Sequence, residues 1–427
     1  MVISSVARRL LLLLIVVTAA LVGPALTGHS VASAADQLEL RGVLTEPDGE
    51  PVPNVRIDVS AESGFTGSGV SGSDGAWAVL VPEPATYTVL LITDTLPEDV
   101  ELRDADRNPL TVPILSASKT VQFALGEDVD GGSQFAGRAI QLFADGLAFG
   151  LILALSGVGL SLIFGTTGLT NFAHGDLMTF GALATLVFNN FLGLPFLVSA
   201  ALALILAVGF GWAQDAGLWR PLRRRGTGLI AMLVVSIGFG ILLRYTYLFF
   251  FGGSTTQYAE YSGQAGLELG PVLITPKSLL ASGIAILALG ATITWLLKSR
   301  MGKASRAIAD NPGLASASGI DVEKVISRVW MIGTALAALG GIIFSLSNGV
   351  NWNQGFQVLL LVFAGVVVGG LGTAYGALVG ALLVGVLIQM STLFIPPELK
   401  NLGALVVLIL ILLVRPQGLL GRAERIG

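Results

Sequence analysis

Long apolar stretches recur along this chain from Leu142 onward, and they constrain the fold more than any other feature of the sequence. A helix needs about 20 consecutive apolar residues to cross a bilayer, and several stretches approach this length. Hydrophobic residues make up 53% of the chain and charged residues only 12%, with a mean hydropathy of +0.79. The sequence therefore predicts an all-α polytopic membrane domain over residues 142–427. We place about eight to nine transmembrane helices at 142–165, 176–193, 195–214, 228–251, 277–297, 327–347, 357–371, 375–394 and 401–414.

The first residues of the chain predict a secretory signal. Arg8 and Arg9 precede an apolar core at residues 10–22, which is short for a membrane span. Small residues at 32–34 then offer a cleavage site to a signal peptidase. We therefore expect residues 1–35 to be a signal peptide and the residues that follow to reach the outer face of the membrane.

Residues 36–126 show the alternation of apolar and polar residues that is typical of short β-strands. One run places Val55, Ile57 and Val59 on one face, and turn-forming residues such as those at 73–75 separate the runs. Short strands at this spacing predict a small all-β immunoglobulin-like sandwich domain.

The charge of this first region also differs from that of the rest of the chain. Residues 36–141 carry 18 acidic and 6 basic side chains, whereas residues 142–427 carry 10 acidic and 16 basic ones. The run GVLTEPDGEPVPNVRIDV, followed by SDGAWAVLVPEPATYTV, resembles the carboxypeptidase regulatory-like sandwich family. That resemblance implies a spacer or adhesive module outside the cell, with a direct role in substrate capture as the alternative. Residues 127–141 are expected to link it to the membrane domain.

The basic residues of the membrane domain predict its orientation. With the β domain outside, nine spans place the links after the third and fifth spans, and the C-terminus, in the cytoplasm. These are the segments rich in arginine and lysine, at 220–225, 298–327 and 415–425, in agreement with the positive-inside rule. Arg244 lies within a span, and we expect its long side chain to reach the outer interface. The alternative is a functional charge that lines the translocation path.

The longest charged interruption of the membrane domain is the segment 298–327, called here the polar loop. Asn311 before Pro312 is a favourable helix start, and Gly319 is a natural helix stop. Asp321 can then cap the next helix. The polar loop is therefore predicted to contain a short helix of small residues at 312–318. These residues alone do not decide whether this helix is part of a solvated link or docks on a partner.

Three blocks of the membrane domain resemble branched-chain amino-acid ABC transporter permeases. They are LSGVGLSLIFGTTGLTNFAHGDLMTFGAL, RAIADNPGLASASGIDVEKVISRVWMIGTALAALGGII and AGVVVGGLGTAYGALVGALLVGVL. The resemblance implies that the polar loop contacts a separate ATPase. The residues assigned to this ATPase-coupling loop are Arg306, Asn311, Pro312, Ala315, Gly319 and Ile320. The same resemblance implies three kinds of partner: two ABC ATPase subunits, a second permease subunit or a copy of this one, and an extracytoplasmic substrate-binding protein.

Two further sets of residues are candidates for a role in the membrane domain. A polar interruption at Asn171, Phe172, His174 and Gly175 predicts a helix break that either lines the translocation path or caps helix ends in a tight turn. A glycine-rich block predicts close helix packing, because most of its glycines are four residues apart. These glycines are Gly365, Gly369, Gly372, Gly376 and Gly380.

The sequence argues against enzymatic chemistry. The chain has no cysteine and two histidines, of which only His174 lies beyond the predicted signal peptide, so neither a metal site nor a catalytic site is expected. It also lacks a nucleotide-binding loop, so ATP would be used only by partner subunits. We expect a multi-pass protein of the cell membrane that contacts lipid and no nucleic acid.

The predicted function is that of a permease subunit of an ABC importer for branched-chain or other hydrophobic amino acids. Urea or short amides are an alternative substrate class. An ATP-independent channel, or a membrane-anchored adhesion protein that displays the β domain, is an alternative of another class.

Overall fold

The structure is a computed structural model that describes most of the chain between Leu38 and Pro396. The gaps are 47–49, 62, 84, 98–99, 103–107, 115–118, 122, 124, 127–130, 261–265 and 271, and beyond Pro396 it describes 399, 402, 406, 409, 413 and 418–420. The predicted signal peptide at 1–35 lies outside the described residues. The chain divides into two compact units at the junction of Ala136 and Gly137.

The first unit consists of short strands in two sheets. The strands are β1 (Leu38–Val43), β2 (Arg56–Ala61), β3 (Thr66–Val70), β4 (Ala76–Val81), β5 (Thr86–Leu91), β6 (Leu110–Pro113) and β7 (Lys119–Thr120). One sheet has the order β4-β1-β7 and the other β3-β2-β5-β6. Every second residue of β4 is buried, as the alternating sequence predicts. Trp77 and Val79 from one sheet share a hydrophobic core with Val59 and Tyr87 from the other.

The second unit is almost entirely helical. Its helices are α1 (Gly131–Thr167), α2 (His174–Leu186), α3 (Phe196–Gln214), α4 (Arg220–Arg224), α5 (Leu229–Phe251), α6 (Pro276–Lys298), α7 (Arg300–Asp310), α8 (Pro312–Ala317), α9 (Val322–Asn348), α10 (Gln354–Gly369) and α11 (Ala374–Ser391). Segments of π-helix continue α2 over Val187–Phe191 and α3 over Asp215–Trp219. A hairpin of β8 (Leu267–Leu269) and β9 (Val272–Ile274) precedes α6.

Helix α1 begins earlier than the sequence suggests. Its first residue is Gly131, so residues 131–141, which were expected to belong to a linker, form its first turns. Extending an existing helix adds one hydrogen bond for each residue that is ordered, and Ala136, Arg138 and Ala139 are favourable helix formers.

Six helices within the described residues are long and apolar enough to cross a membrane, which makes the chain an integral membrane protein. They are Phe135–Thr167, Phe196–Arg224, Leu229–Phe251, Pro276–Lys298, Val322–Asn348 and Ala374–Ser391. Two further predicted spans, 176–193 and 357–371, fall on α2 and α10, which have 13 and 16 residues. The predicted span 401–414 lies largely outside the described residues.

The short helix α2 forms the centre of this unit. All of its residues are buried, and it packs against α3, α9 and α10. Glycines allow these close approaches: a Cβ at Gly181 would lie 2.5 Å from the carbonyl oxygen of Ala338 in α9. Because other helices surround it, α2 has no lipid-facing surface.

Candidate functional site

The polar loop is a folded element with three capped helix starts. The Ser299 hydroxyl accepts a hydrogen bond of 2.8 Å from the Gly302 N–H at the start of α7. The Asn311 side chain accepts one of 2.9 Å from Leu314 N–H at the start of α8, and Asp321 one of 3.0 Å from Lys324 N–H at the start of α9. The short helix predicted at 312–318 is present as Pro312–Ala317. Gly319 follows with φ +82°, a left-handed conformation that glycine adopts without strain.

A small hydrophobic core holds the polar loop together. Ile308 from α7, Ala315 from α8 and Val325 from α9 are all buried against one another. Ile320 packs at the edge of this cluster. Ala315 therefore faces the loop's own core, whereas its neighbour Leu314 is 67% exposed.

The outer surface of the polar loop is small, polar and basic. Arg306 is exposed on α7, and its guanidinium donates a hydrogen bond of 3.5 Å to the Leu297 carbonyl. Asp321 is exposed at the last cap, where the Lys324 backbone N–H, together with the nearby Lys324 ammonium, lowers the pKa of its carboxyl. Between these charged residues, the exposed surface of α8 is formed by Leu314 together with Pro312, Gly313, Ser316 and Ala317.

An ion-pair cluster joins the polar loop to the end of α3. Glu323, in the first turn of α9, accepts from Arg223 at 2.9 Å and lies 3.3 Å from the Arg220 guanidinium. The same two arginines pair with the fully buried Asp215, at 2.8 Å for Arg223 and 3.1 Å for Arg220. The sequence identified these arginines only as topology markers, and no local spacing relates Asp215 to Glu323.

Buried aromatic and amide contacts extend this cluster along α9. The indole rings of Trp219 and Trp330 are stacked, with centroids 5.3 Å apart and planes 11° from parallel. The Trp219 indole donates to Gln214 at 3.3 Å, and the Gln214 amide donates to the Thr334 hydroxyl at 3.0 Å. The first four turns of α9 are therefore tied to the end of α3 and to the π-helical segment that follows it.

The helix break predicted at Asn171, Phe172, His174 and Gly175 is present between α1 and α2, where the non-helical residues 168–173 contact α5. Phe172 N–H donates to the Ser236 hydroxyl at 3.0 Å, and the Asn171 side chain accepts from Ala173 N–H at 3.1 Å. Ser236 is the eighth residue of α5, so the chain meets this helix well beyond its first turn. The Phe172 ring is 37% exposed and stands 5.1 Å from that of Phe363.

Helix α2 begins directly after the break. Its first two residues, His174 and Gly175, were predicted to belong to the break and are both buried. The His174 Nε2 lies 3.0 Å from the Ser156 carbonyl oxygen, so this nitrogen is the one that carries the proton. Gly175 has no room for a side chain, because a Cβ there would overlap the backbone of Gly355 at the start of α10. Both residues thus fix the meeting point of three helices.

A buried ion pair that the sequence did not predict lies in the same first turn of α2. The Arg244 guanidinium is 3.2 Å from the fully buried Asp176 carboxylate, and its carbon lies 3.6 Å from the centre of the Phe356 ring. The Tyr247 hydroxyl donates to the Asp176 carbonyl oxygen at 3.1 Å. Arg244 therefore turns toward the helix bundle instead of reaching the end of its helix as expected, because the buried carboxylate compensates its charge.

The glycine-rich block places α10 and α11 in close contact. A Cβ on Gly365, Gly369, Gly376 or Gly380 would collide with the backbone of the opposing helix. Gly372 differs, since it lies in the turn between the helices with φ +79° and the backbone of Gly165 in α1 is 3.7 Å from its Cβ position. Four of the five predicted glycines thus lie in the helix contact, and the fifth lies in the turn.

Among the described residues, no group of three or more His, Cys, Asp or Glu side chains could hold a metal ion.

Known proteins resemble this chain over its helical unit. The family model described as the permease component of the branched-chain amino acid transport system matches residues 142–413. The high-affinity branched-chain amino acid transport system permease protein LivH of Salmonella typhimurium is 32% identical over 299 residues, which are 67% of this chain and 96% of LivH. BraD of Pseudomonas aeruginosa, a permease protein of the same description, is 29% identical over 67% of this chain and 96% of its own length.

A second type of permease is also similar. LivM of Escherichia coli, likewise a high-affinity branched-chain amino acid transport system permease protein, is 26% identical over 63% of this chain and 68% of its own length. No solved structure matches the chain. Because the family model covers well over half of the residues, the chain belongs to the family of branched-chain amino acid transport system permease components.

Proposed function

We propose that this chain is the transmembrane permease subunit of an ABC importer for branched-chain and other hydrophobic amino acids. Its role is to form the path through the membrane, while separate subunits bind and hydrolyse ATP. The observation that carries this proposal is the polar loop, which has its own core and presents the large exposed apolar side chain of Leu314 on a helix of small residues. Such a helix can enter a groove on a partner, because small side chains let the backbones approach closely.

The ion-pair cluster supplies the mechanical connection that this function needs. A force on α8 reaches α9 through the shared core of Ala315 and Val325, and reaches α3 through Glu323 and Arg223. Alternating access requires that a partner bind one conformation of the bundle more tightly than the other. The polar loop is joined to several helices at once, so its displacement by the ATPase would move them together.

The proposed assembly contains two ATPase subunits, an extracytoplasmic substrate-binding protein and a second permease subunit. Since the chain resembles both LivH and LivM, a related but different chain is the proposed second permease, with a copy of this chain as the alternative. This chain itself would bind no cofactor and catalyse no reaction. Lipid would cover the apolar faces of helices such as α5, where Ile230 is 83% and Phe249 79% exposed.

The proposed topology places the polar loop and the C-terminus in the cytoplasm. It counts eight to nine spans by adding α2, α10 and the segment 401–414 to the longer helices. The β unit would then lie outside the cell as an immunoglobulin-like, carboxypeptidase regulatory-like module. Its Tyr87 hydroxyl donates a hydrogen bond of 2.6 Å to the Glu83 carbonyl, an arrangement that recurs at the corners of immunoglobulin-like domains.

Uptake by a deletion strain tests the proposed function. The strain would be restored with the chain and its operon, and labelled leucine, alanine and urea would be offered separately. We expect energy-dependent uptake of leucine, and none when the ATPase genes are omitted. Uptake of urea alone would replace the amino-acid assignment, and uptake without any ATPase would indicate a channel.

A further inference from the structure

The helical unit contains a cavity of about 650 Å³ at the end opposite the polar loop. It is lined by residues of α1, the β8–β9 hairpin, α6, α9, α10 and α11. The lining residues of α6 come from its first ten positions and those of α9 from its last six, whereas the polar loop connects the other ends of these two helices. The cavity is within the usual size range of small-molecule sites, about 300–1,000 Å³.

Opposite charges and apolar walls occur together in this cavity. Asp145 on α1 and Lys277 on α6 both line it, and so do the amides of Asn348 and Gln357. The remaining wall is mostly apolar, with Phe149, Ile152, Ala281, Ala285, Ile343 and Leu361. A carboxylate and an ammonium beside an apolar wall match the three parts of a zwitterionic α-amino acid that has a hydrocarbon side chain.

Gln141 orients the acidic group and holds the hairpin over the cavity. Its side-chain amide donates to Asp145 at 3.1 Å and to the Leu273 carbonyl at 3.1 Å, while its oxygen accepts from Leu273 N–H at 2.8 Å. Leu273 and Ile274 of the hairpin themselves line the cavity. The hairpin that precedes α6 is therefore attached to α1 beside the carboxylate.

Helix α6 connects this cavity to the polar loop. It packs on α9 through a narrow stripe of buried residues, Ala281, Ala285, Leu289, Thr292 and Leu296. A second, apolar cavity of about 170 Å³ lies beside it, between α3, α6 and α9. The two cavities leave open space along the first turns of α6, and the polar loop follows its other end. A small rotation of α6 would therefore change the volume of the larger cavity.

We propose that this cavity is the substrate site of the permease itself and that it takes a zwitterionic amino acid with an apolar side chain. The ligand's ammonium would pair with Asp145, its carboxylate with Lys277, and its side chain would lie against Phe149 and Ile152. The inference rests on the proposed import function and goes beyond it by naming the site.

Charge-neutralising variants test the site in proteoliposomes that hold the complete importer. We expect Asp145→Asn and Lys277→Gln each to lower leucine uptake by about tenfold to a hundredfold, the effect of losing one charge-assisted hydrogen bond. The matched control is Arg225→Gln, which removes an exposed charge after α4, far along the chain from the cavity, and should leave uptake unchanged. Wild-type liposomes that take up no leucine would contradict the proposed function as a whole, before any variant is compared.

A single introduced thiol tests the site without removing a charge. Because the chain has no cysteine, Ser282→Cys on the cavity wall gives this subunit one reactive thiol. In a transport-competent importer, leucine at millimolar concentration should slow its maleimide labelling, whereas labelling of Ser254→Cys, exposed after α5, should not change. If wild type and Ser282→Cys both import leucine and Ser282→Cys is labelled at the same rate with and without leucine, the cavity is not the substrate site.

Discussion

Arg223 donates a hydrogen bond of 2.9 Å to Glu323, a residue one hundred positions further along the chain. The same guanidinium nitrogen lies 2.8 Å from the buried Asp215, so one side chain joins the start of α9 to the π-helical segment after α3. Segments of π-helix occur frequently at functional sites, where the extra residue redirects side chains. In this chain the segment brings Asp215 and Trp219 to the side of α9 next to the polar loop.

Replacing Arg223 should destabilise the helical unit. Arg223→Gln leaves the fully buried Asp215 with Arg220 alone, and removing one partner of a buried pair costs about 3–5 kcal/mol. Because Arg223 is itself 13% exposed and a second arginine remains, we expect the lower end of this range. Thermal unfolding in detergent measures the change. Arg225→Gln, an exposed neighbour, serves as the control and should stay within about 0.5 kcal/mol of wild type.

Substitutions of two adjacent residues of α8 should have different effects on ATPase binding and on stability. Leu314→Glu places a charge on the exposed apolar side chain of the short helix, so it should abolish co-purification of the ATPase while the thermal stability stays unchanged. Ala315→Arg instead forces a charge into the core that Ile308 and Val325 form, so it should lower the stability as well. Pull-down of the ATPase and thermal unfolding are measured on both variants. An ATPase that still co-purifies with Leu314→Glu would place the docking surface elsewhere.

Local signals were sufficient to predict the polar loop. A cap acts within three residues, so Asn311, Gly319 and Asp321 could be interpreted from the sequence alone, and the helix forms where they predict it. The inward orientation of Ala315 was not predictable in this way. It depends on Ile308 and Val325, which reach it from two other helices.

Long-range pairings account for most of what the sequence did not predict. Asp176 and Arg244 are 68 residues apart, and Arg223 and Glu323 one hundred, so no periodicity relates them. The same limit applies to the burial of α2, since α9 and α10, which pack on it, lie far along the sequence. Gly372 lies four residues before Gly376 and belongs to the same glycine-rich block, yet the turn between α10 and α11 requires it for its positive φ.

The buried pair of Asp176 and Arg244 should show strong coupling in a double-mutant cycle. Arg244→Met leaves the buried carboxylate without its cation and should cost about 3–5 kcal/mol. Adding Asp176→Asn to that variant removes the uncompensated charge, so the double variant should be more stable than Arg244→Met alone. Thermal unfolding of the four proteins gives the coupling energy. Additive effects of the two substitutions would mean that the pair contributes nothing through its charge.

A methyl group added at Gly369 should separate α10 from α11. The Cβ of Gly369→Ala would overlap the carbonyl oxygen of Gly376, and neither backbone can move without disturbing Gly365 and Gly380 in the same contact. Overpacking of this kind typically costs about 1–3 kcal/mol, which thermal unfolding in detergent would detect. The matched control is Gly209→Ala in α3, where a Cβ meets nothing within 4 Å. Alanine there should stabilise by about 0.5–1 kcal/mol, because it loses less conformational freedom in a helix than glycine. Equal stabilities of the two variants would show that α10 and α11 do not pack through their glycines.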